Sequence, residues 1–429
     1  MKYIYISMVA LALYGDLLKR FLPPQAALAT LYILAVLLLV VLILNKYPTT
    51  VSCIETLEAS ALRCLAIIII ITYIFLALIS AADDWSSGLM ESIYISIPLL
   101  YLIVIGRYVP SFNLRDMAVP FLWLMIPINV VGIIQYTYDP RFLVSSTYSE
   151  DGGVILRNLL GGDLGTFERY PSLFASADRY SAMGLMHLFF VIAFIKKIDQ
   201  YYIRNFSWLA FNIASAFVAL AVAGARSRIL IVLLIGVVVL FALAVKTNYK
   251  SGFRRLKGYW IAVFSVILAL LTIFIVNLKV IESLISSVAI VSMLQNTFLT
   301  GDILVRLAQA MGQSMLPDSN LLIGKGLGTE SPGGRPGEFA LRVFWLESGL
   351  VGGGLLLSCF ALFLIFLGRL TFLSYQRGEV FEFMLNAIPF ALMLFALLTG
   401  LTGVFELSTG LLLFSAIAVN SRHHVQNSV

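Results

Sequence analysis

The sequence predicts an all-α, polytopic membrane protein of about twelve transmembrane helices with two large extracytoplasmic loops. Three observations lead there. Of the 429 residues, 60% are hydrophobic and only 12% are charged, a balance few soluble chains have. Apolar runs of about 17–25 residues recur along the whole length, and a helix needs about 20 residues to cross the hydrocarbon core. Lysine and arginine cluster in alternate connections between those runs, as they do when cytoplasmic loops retain positive charge. Backbone amides cannot go unpaired in lipid, so each run must be helical.

The N-terminal part, 1–136, holds five runs at 3–18, 25–45, 62–81, 90–106 and 117–136. A polar stretch, 137–180, forms the first large periplasmic loop. Four more runs follow within 181–278, at 181–197, 207–224, 228–246 and 258–278. The second large loop covers 279–342. The last part, 343–429, holds runs at 343–368, 383–400 and 402–420 and a basic tail. Only "TGLTG" separates the final two runs, which are also readable as one re-entrant pair.

Orientation follows from the basic residues. The loop "KTNYKSGFRRLKG", with Lys246, Lys250, Arg254, Arg255 and Lys257, marks the cytoplasm. Lys196, Lys197, Arg204, Arg369, Arg377, Arg107, Arg115, Lys46 and Arg63 fall on the same side, and "DDWSSGLME" falls outside. Both termini are then cytoplasmic. Lys19 and Arg20 run against the pattern. The first run is alternatively a cleaved signal, with "ALA" at 10–12 as its processing site. Cys53 falls in a cytoplasmic loop, Cys64 at a cytoplasmic helix end and Cys359 inside a helix, so no disulfide framework or thiolate zinc site follows. His187, within an apolar run, is expected to be a packed or hydrogen-bonded core histidine.

Thirteen of the 29 basic residues nevertheless fall outside. Loops as long as 137–180 and 279–342 obey the charge rule loosely, and their arginines are readable as partners in ordinary surface ion pairs. Arg226 differs, because "AGARSRIL" is a very short outer turn with no acid nearby in sequence. A guanidinium at the membrane edge costs free energy unless it snorkels to water or meets an anion. One reading of Arg226 is an interface anchor; the other is a phosphate ligand, for which the planar fork of guanidinium is suited.

The sequence has no P-loop, no dinucleotide fingerprint and no cluster of metal-ligand spacing. An anionic, membrane-borne substrate with its energy already in its bonds fits, such as a lipid-linked sugar diphosphate. Arginines would neutralise the leaving diphosphate, and a carboxylate would take the proton of an acceptor hydroxyl. In "GKGLGTESPGGRPGEFALRVFWLESGLVGGG" a Gly/Pro-rich loop enters a helix near Glu338. Glu338, Arg342 and Glu347 then share roughly one helical face. Glu338 is readable as that carboxylate or as half of a Glu338–Arg342 surface pair, and Glu347 as a second candidate carboxylate or, in preference, a residue of the helix surface.

Three stretches resemble the O-antigen ligase and polymerase superfamily of bacterial surface-polysaccharide assembly: "GARSRILIVLLIG", "DILVRLAQAMGQSMLPDSNLLIGKGLG" and "GEFALRVFWLESGLVGG". They span about 225–357, with a weaker likeness at "RYPSLFASADRYSAMG" (169–184). The resemblance implies a metal-independent, cofactor-free glycosyltransferase of the inner membrane. Its substrate would be an undecaprenyl-diphosphate-linked oligosaccharide handled at the periplasmic face. Membrane lipid would surround it, a chain-length regulator and a flippase of the same pathway would be partners, and nucleic acid would not. The family's arginines carry over onto Arg226 and Arg306, with Arg228 as the alternative to Arg226. Glu338 stands where ligases usually carry histidine, which favours a polymerase over a ligase acting on lipid A core. Arg169, Arg179 and Arg342 are further candidates for substrate contact, and Tyr170, Phe174 and Tyr180 are readable as sugar-stacking or as loop packing. The rivals from other classes are a lipid-linked oligosaccharide flippase and a non-catalytic assembly partner.

Overall fold

The computed structural model describes residues 2–44, 57–79, 81–108, 114–139, 142–143, 172–174, 177–195, 206–223, 322, 324–327, 340–377, 380–399 and 404–426. All regular structure among them is helical and no strand occurs. The helices are α1 (Lys2–Tyr14), α2 (Leu18–Phe21), α3 (Pro24–Leu44), α4 (Leu57–Ile79), α5 (Ala81–Tyr108), α6 (Leu114–Thr137), α7 (Ala177–Ile195) and α8 (Phe206–Val222). After them come α9 (Ala340–Arg377), α10 (Val380–Thr399) and α11 (Leu407–Gln426). A single 3₁₀ turn, Gly15–Leu17, joins α1 to α2.

Five stretches are long and apolar enough to cross a membrane: Ala26–Leu44, Leu57–Ile79, Gly88–Arg107, Asp116–Thr137 and Trp345–Arg377. Five more apolar helices are shorter: Tyr3–Leu17, Arg179–Phe194, Phe211–Leu220, Phe381–Leu394 and Leu407–Ser421. The expected runs at 228–246 and 258–278 lie outside the described residues. Among the described residues, many large apolar side chains face outward. Helix α3 exposes Ile33, Leu37 and Val40, and α4 exposes Ile71, Phe75 and Leu78. Apolar exposed faces of this kind are unfavourable in water and suit hydrocarbon, which marks a membrane protein.

Helix α11 is the hub. It packs on α1, α4, α5, α6, α7 and α10, and every residue from Thr409 to Ser421 is buried. Lipid tails are as apolar as leucine, so close van der Waals approach rather than hydrophobic burial must hold such a helix in place. Small side chains allow it. A Cβ added at Gly410 would lie 2.8 Å from Pro98 Cγ and 2.8 Å from the Val404 carbonyl oxygen. The outer elements pair in sequence order, with α4 against α5, α6 against α7, α7 against α8 and α9 against α10.

Contacts along the helices give them alternating directions. At one end, the start of α4 meets the end of α5, where Arg63 Nη1 donates to the Gly106 carbonyl at 3.3 Å. At the same end Arg369 pairs with Glu58 at 3.2 Å. A polar ladder runs there across three helices: Asn420 Nδ2 donates to Asn386 Oδ1 (2.9 Å), and Asn386 Nδ2 to Ser374 Oγ (2.8 Å). The opposite end receives the segments that border the two large loops.

Candidate functional site

The loop-bearing end carries a buried polar layer made from four structural units. The first joins three helix ends. Arg179, in the first turn of α7, lies between Asp16 in the 3₁₀ turn after α1 and Glu406 just before α11. Its Nη1 donates to both Asp16 carboxylate oxygens at 2.8 Å, and its Nε pairs with Glu406 Oε2. All three residues are at most 6% exposed. Buried charge survives only when paired, so this triad fastens α1, α7 and α11 together.

The second unit lies beside it. Tyr73 on α4, Glu91 on α5 and Glu347 on α9 are buried together, both carboxylates within electrostatic range of the phenol. Ser92 Oγ donates to the Tyr73 carbonyl at 2.8 Å and ties the two helices at this level. Tyr94, one turn beyond Glu91 on α5, lies within electrostatic range of Arg179. The formal charge of the two units is net acidic.

The third unit is a break in α9. Gly349 has φ 62° and ψ −167°, a region essentially reserved for glycine. An unbroken helix would bond the Leu350 N–H to the Leu346 carbonyl and the Val351 N–H to the Glu347 carbonyl. The segment around Leu322–Leu327 takes over instead. Lys325 N donates to Leu346 O (2.9 Å), Gly326 N to Glu347 O (2.9 Å), and Val351 N to Leu322 O (3.2 Å). Backbones meet directly: a Cβ on Gly324 would lie 2.5 Å from Gly349 N, and one on Gly349 2.5 Å from Leu322 O. Two quoted stretches, "IGKGLG" and "LESGL", are therefore one packed unit.

The fourth unit holds the flanks of the first loop. Gln135, fully buried at the end of α6, donates through Nε2 to the Phe142 carbonyl (2.9 Å) and the Ser172 carbonyl (3.0 Å). Its Oε1 accepts from the Ser172 N–H at 2.7 Å. Ser172 is among the described non-glycine residues at positive φ (53°), a strained conformation that these bonds help hold.

Arg226, Arg228, Arg306, Glu338 and Arg169 lie outside the described residues. The backbone of Arg342 is in the first turn of α9, two turns before the Gly349 break. Arg179 was expected in the first outer loop. Helix α7 begins at Ala177, however, and the guanidinium faces two carboxylates instead of solvent. Phe174 and Tyr180 pack. Their rings stack at 5.9 Å, both are fully buried, and the Tyr180 hydroxyl donates to Asn129 Oδ1 at 2.9 Å. Tyr170 lies outside the described residues. Glu347 is also no surface residue, because the break turns it into the layer. His187 is a buried core histidine, 3.1 Å from Asn212 Oδ1 and edge-on to Phe121.

Sequence reasoning missed Asp16, Glu91, Gln135 and Glu406. A signal existed for the acids, since an ionisable residue at the edge of an apolar run must find a partner. Nothing in the sequence pairs them. Among the described residues no group of three or more histidines, cysteines or acids is placed to hold a metal ion. No protein-family model matches the chain, and no curated protein matches it either.

Proposed function

We propose that this chain is a polymerase of O-antigen or another surface polysaccharide, acting at the periplasmic face of a bacterial inner membrane. In this reading about twelve spans cross the bilayer, both termini are cytoplasmic, and the loop-bearing end faces outward. A growing glycan on one undecaprenyl diphosphate passes to a terminal sugar hydroxyl of another carrier-linked repeat unit. The bond between the anomeric carbon and the diphosphate oxygen breaks. The acceptor oxygen bonds that carbon, its proton goes to Glu338, and undecaprenyl diphosphate leaves. Arg226 and Arg306 hold the diphosphate and offset the charge that grows on it.

The observation that carries the reading is the union of the Gly324-Lys325-Gly326 turn with the Glu347-x-Gly349 break. Two stretches that resemble the superfamily, more than twenty residues apart in sequence, meet as one unit. That unit lies on the helix that follows Glu338 and carries Arg342. Purified protein reconstituted with lipid-linked repeat units tests it, with product length read on a gel. Long glycans are expected on the carrier lipid, and Arg226→Ala or Arg306→Ala should abolish them. Unaltered chain length in both variants would remove the roles assigned to these arginines. Transfer to lipid A core would make the chain a ligase, and carrier translocation without new glycosidic bonds would make it a flippase.

A further inference from the structure

We propose that Arg63 and Arg107 bind the phosphate of an anionic phospholipid at the end of the molecule opposite the two large loops. Arg63 stands in the second turn of α4 and Arg107 in the last turn of α5. Arg63 is half-buried, Arg107 is exposed, and the two charges lie within electrostatic range of each other. Like charges held this close repel, and an anion that meets both turns the repulsion into attraction. Glu58, in the first turn of α4, pairs with Arg369 at 3.2 Å. Arg63 donates to the Gly106 carbonyl at 3.3 Å and to Ser60 Oγ at 3.4 Å. Both bonds are long beside the about 2.7–2.9 Å of a guanidinium on an oxyanion. They orient the group, and a phosphate oxygen is the stronger acceptor.

The surroundings suit an amphiphile. Arg63 borders a crevice between α4, α5 and α11, lined by Ala59, Gly106, Ala418 and Ser421. Small side chains leave the guanidinium its place there: a Cβ added at Gly106 would lie 3.0 Å from Arg63 Cδ. Directly beyond Arg63, α4 turns an apolar stripe outward, with Cys64, Ile68, Ile71, Phe75 and Leu78 exposed at helical spacing. An acyl chain lies along that stripe while its phosphate meets the two arginines. Inorganic phosphate would use the arginines and gain nothing from the stripe. Basic pockets between helix ends at a membrane edge hold acidic headgroups in this way.

Lipid capture tests this. The full chain is drawn from mixed detergent micelles holding equal amounts of dioleoyl phosphatidylglycerol and dioleoyl phosphatidylcholine, and the retained lipids are counted by mass spectrometry. Phosphatidylglycerol should be retained in preference. Arg63→Gln and Arg107→Gln should each weaken that preference about fivefold. Arg377→Gln, which removes an exposed cation outside the crevice at the same end, should leave it within about twofold. Equal retention of the two lipids by the wild type overturns the proposal, and so does an undiminished preference in both arginine variants. An equal loss in Arg377→Gln overturns it too, because overall charge then explains the attraction. Inorganic phosphate, added at constant ionic strength, separates the two sources of phosphate. Retention unchanged by it supports the lipid, and displacement by it overturns the lipid assignment. If Arg63→Gln fails to fold because the Gly106 carbonyl loses its donor, Arg107→Gln at its exposed position carries the test with the same outcomes.

Discussion

Arg179 shows how a single side chain organises the loop-bearing end. Its Nη1 donates to both Asp16 carboxylate oxygens and its Nε meets Glu406, so three distant parts of the chain converge on one group. Arg179→Ala would take from two buried carboxylates the cation that joins them, at a cost of about 3–5 kcal/mol. Neutralising all three partners together, as Arg179→Met with Asp16→Asn and Glu406→Gln, should cost less than the single change. Thermal unfolding of detergent-solubilised protein checks the order, and a triple variant weaker than Arg179→Ala would refute it. Gln135 is the uncharged counterpart. Gln135→Leu strips partners from the Ser172 N–H and from two carbonyls, each loss costing about 1–3 kcal/mol where the group stays buried. Hydrogen exchange at the Ser172 amide should then accelerate, while the Lys325 amide, held by the separate α9 unit, should not change.

Among the elements, α11 and α9 use glycine for different ends. In α11, Gly410 lets the hub helix approach Pro98 of α5 with no side chain between them. Gly410→Leu would wedge the two helices apart and cost about 1–3 kcal/mol through overpacking. Protein yield after membrane extraction and the unfolding temperature should both fall, whereas Gly354→Leu, a site with nothing within 4 Å of an added Cβ, should leave both near wild type. In α9, Gly349 supplies a backbone conformation rather than space alone, so even alanine is excluded there. The elements at the opposite end are joined more simply, by the Asn420–Asn386–Ser374 ladder and the Glu58–Arg369 pair.

For the whole molecule, the contacts put the flanks of both large loops at one end and Arg63, Gly106, Glu58 and Arg369 at the other. The charge pattern leads us to propose that the second group faces the cytoplasm. A cysteine introduced at Ser146 in a chain freed of Cys53, Cys64 and Cys359 should react with an impermeant thiol reagent in cells whose outer membrane alone is opened. Lys250→Cys should react only after the inner membrane is also breached. Equal labelling of the two positions would overturn the orientation, and with it a periplasmic site.

Much of this protein was determined by sequence alone, and the reason is the solvent. Hydrocarbon demands long apolar helices, and composition reports such helices without reference to any partner, so the ten expected runs that fall on described residues all overlap helices, five of them long and apolar enough to cross a membrane. Helix limits were less legible. Arg179 reads as loop because charge usually ends an apolar run, yet α7 starts before it, and carboxylates from the turn after α1 and the residue before α11 neutralise it. Glu347 reads as surface from its spacing on a continuous helix, but a break at Gly349 changes where it faces. Such pairings join residues separated by hundreds of positions, and no local pattern encodes them. The tertiary structure alone decided that the four acids Asp16, Glu91, Glu347 and Glu406 are buried, that Gln135 holds both flanks of the first loop, and that the Gly-x-Gly turn completes hydrogen bonds a broken helix leaves open.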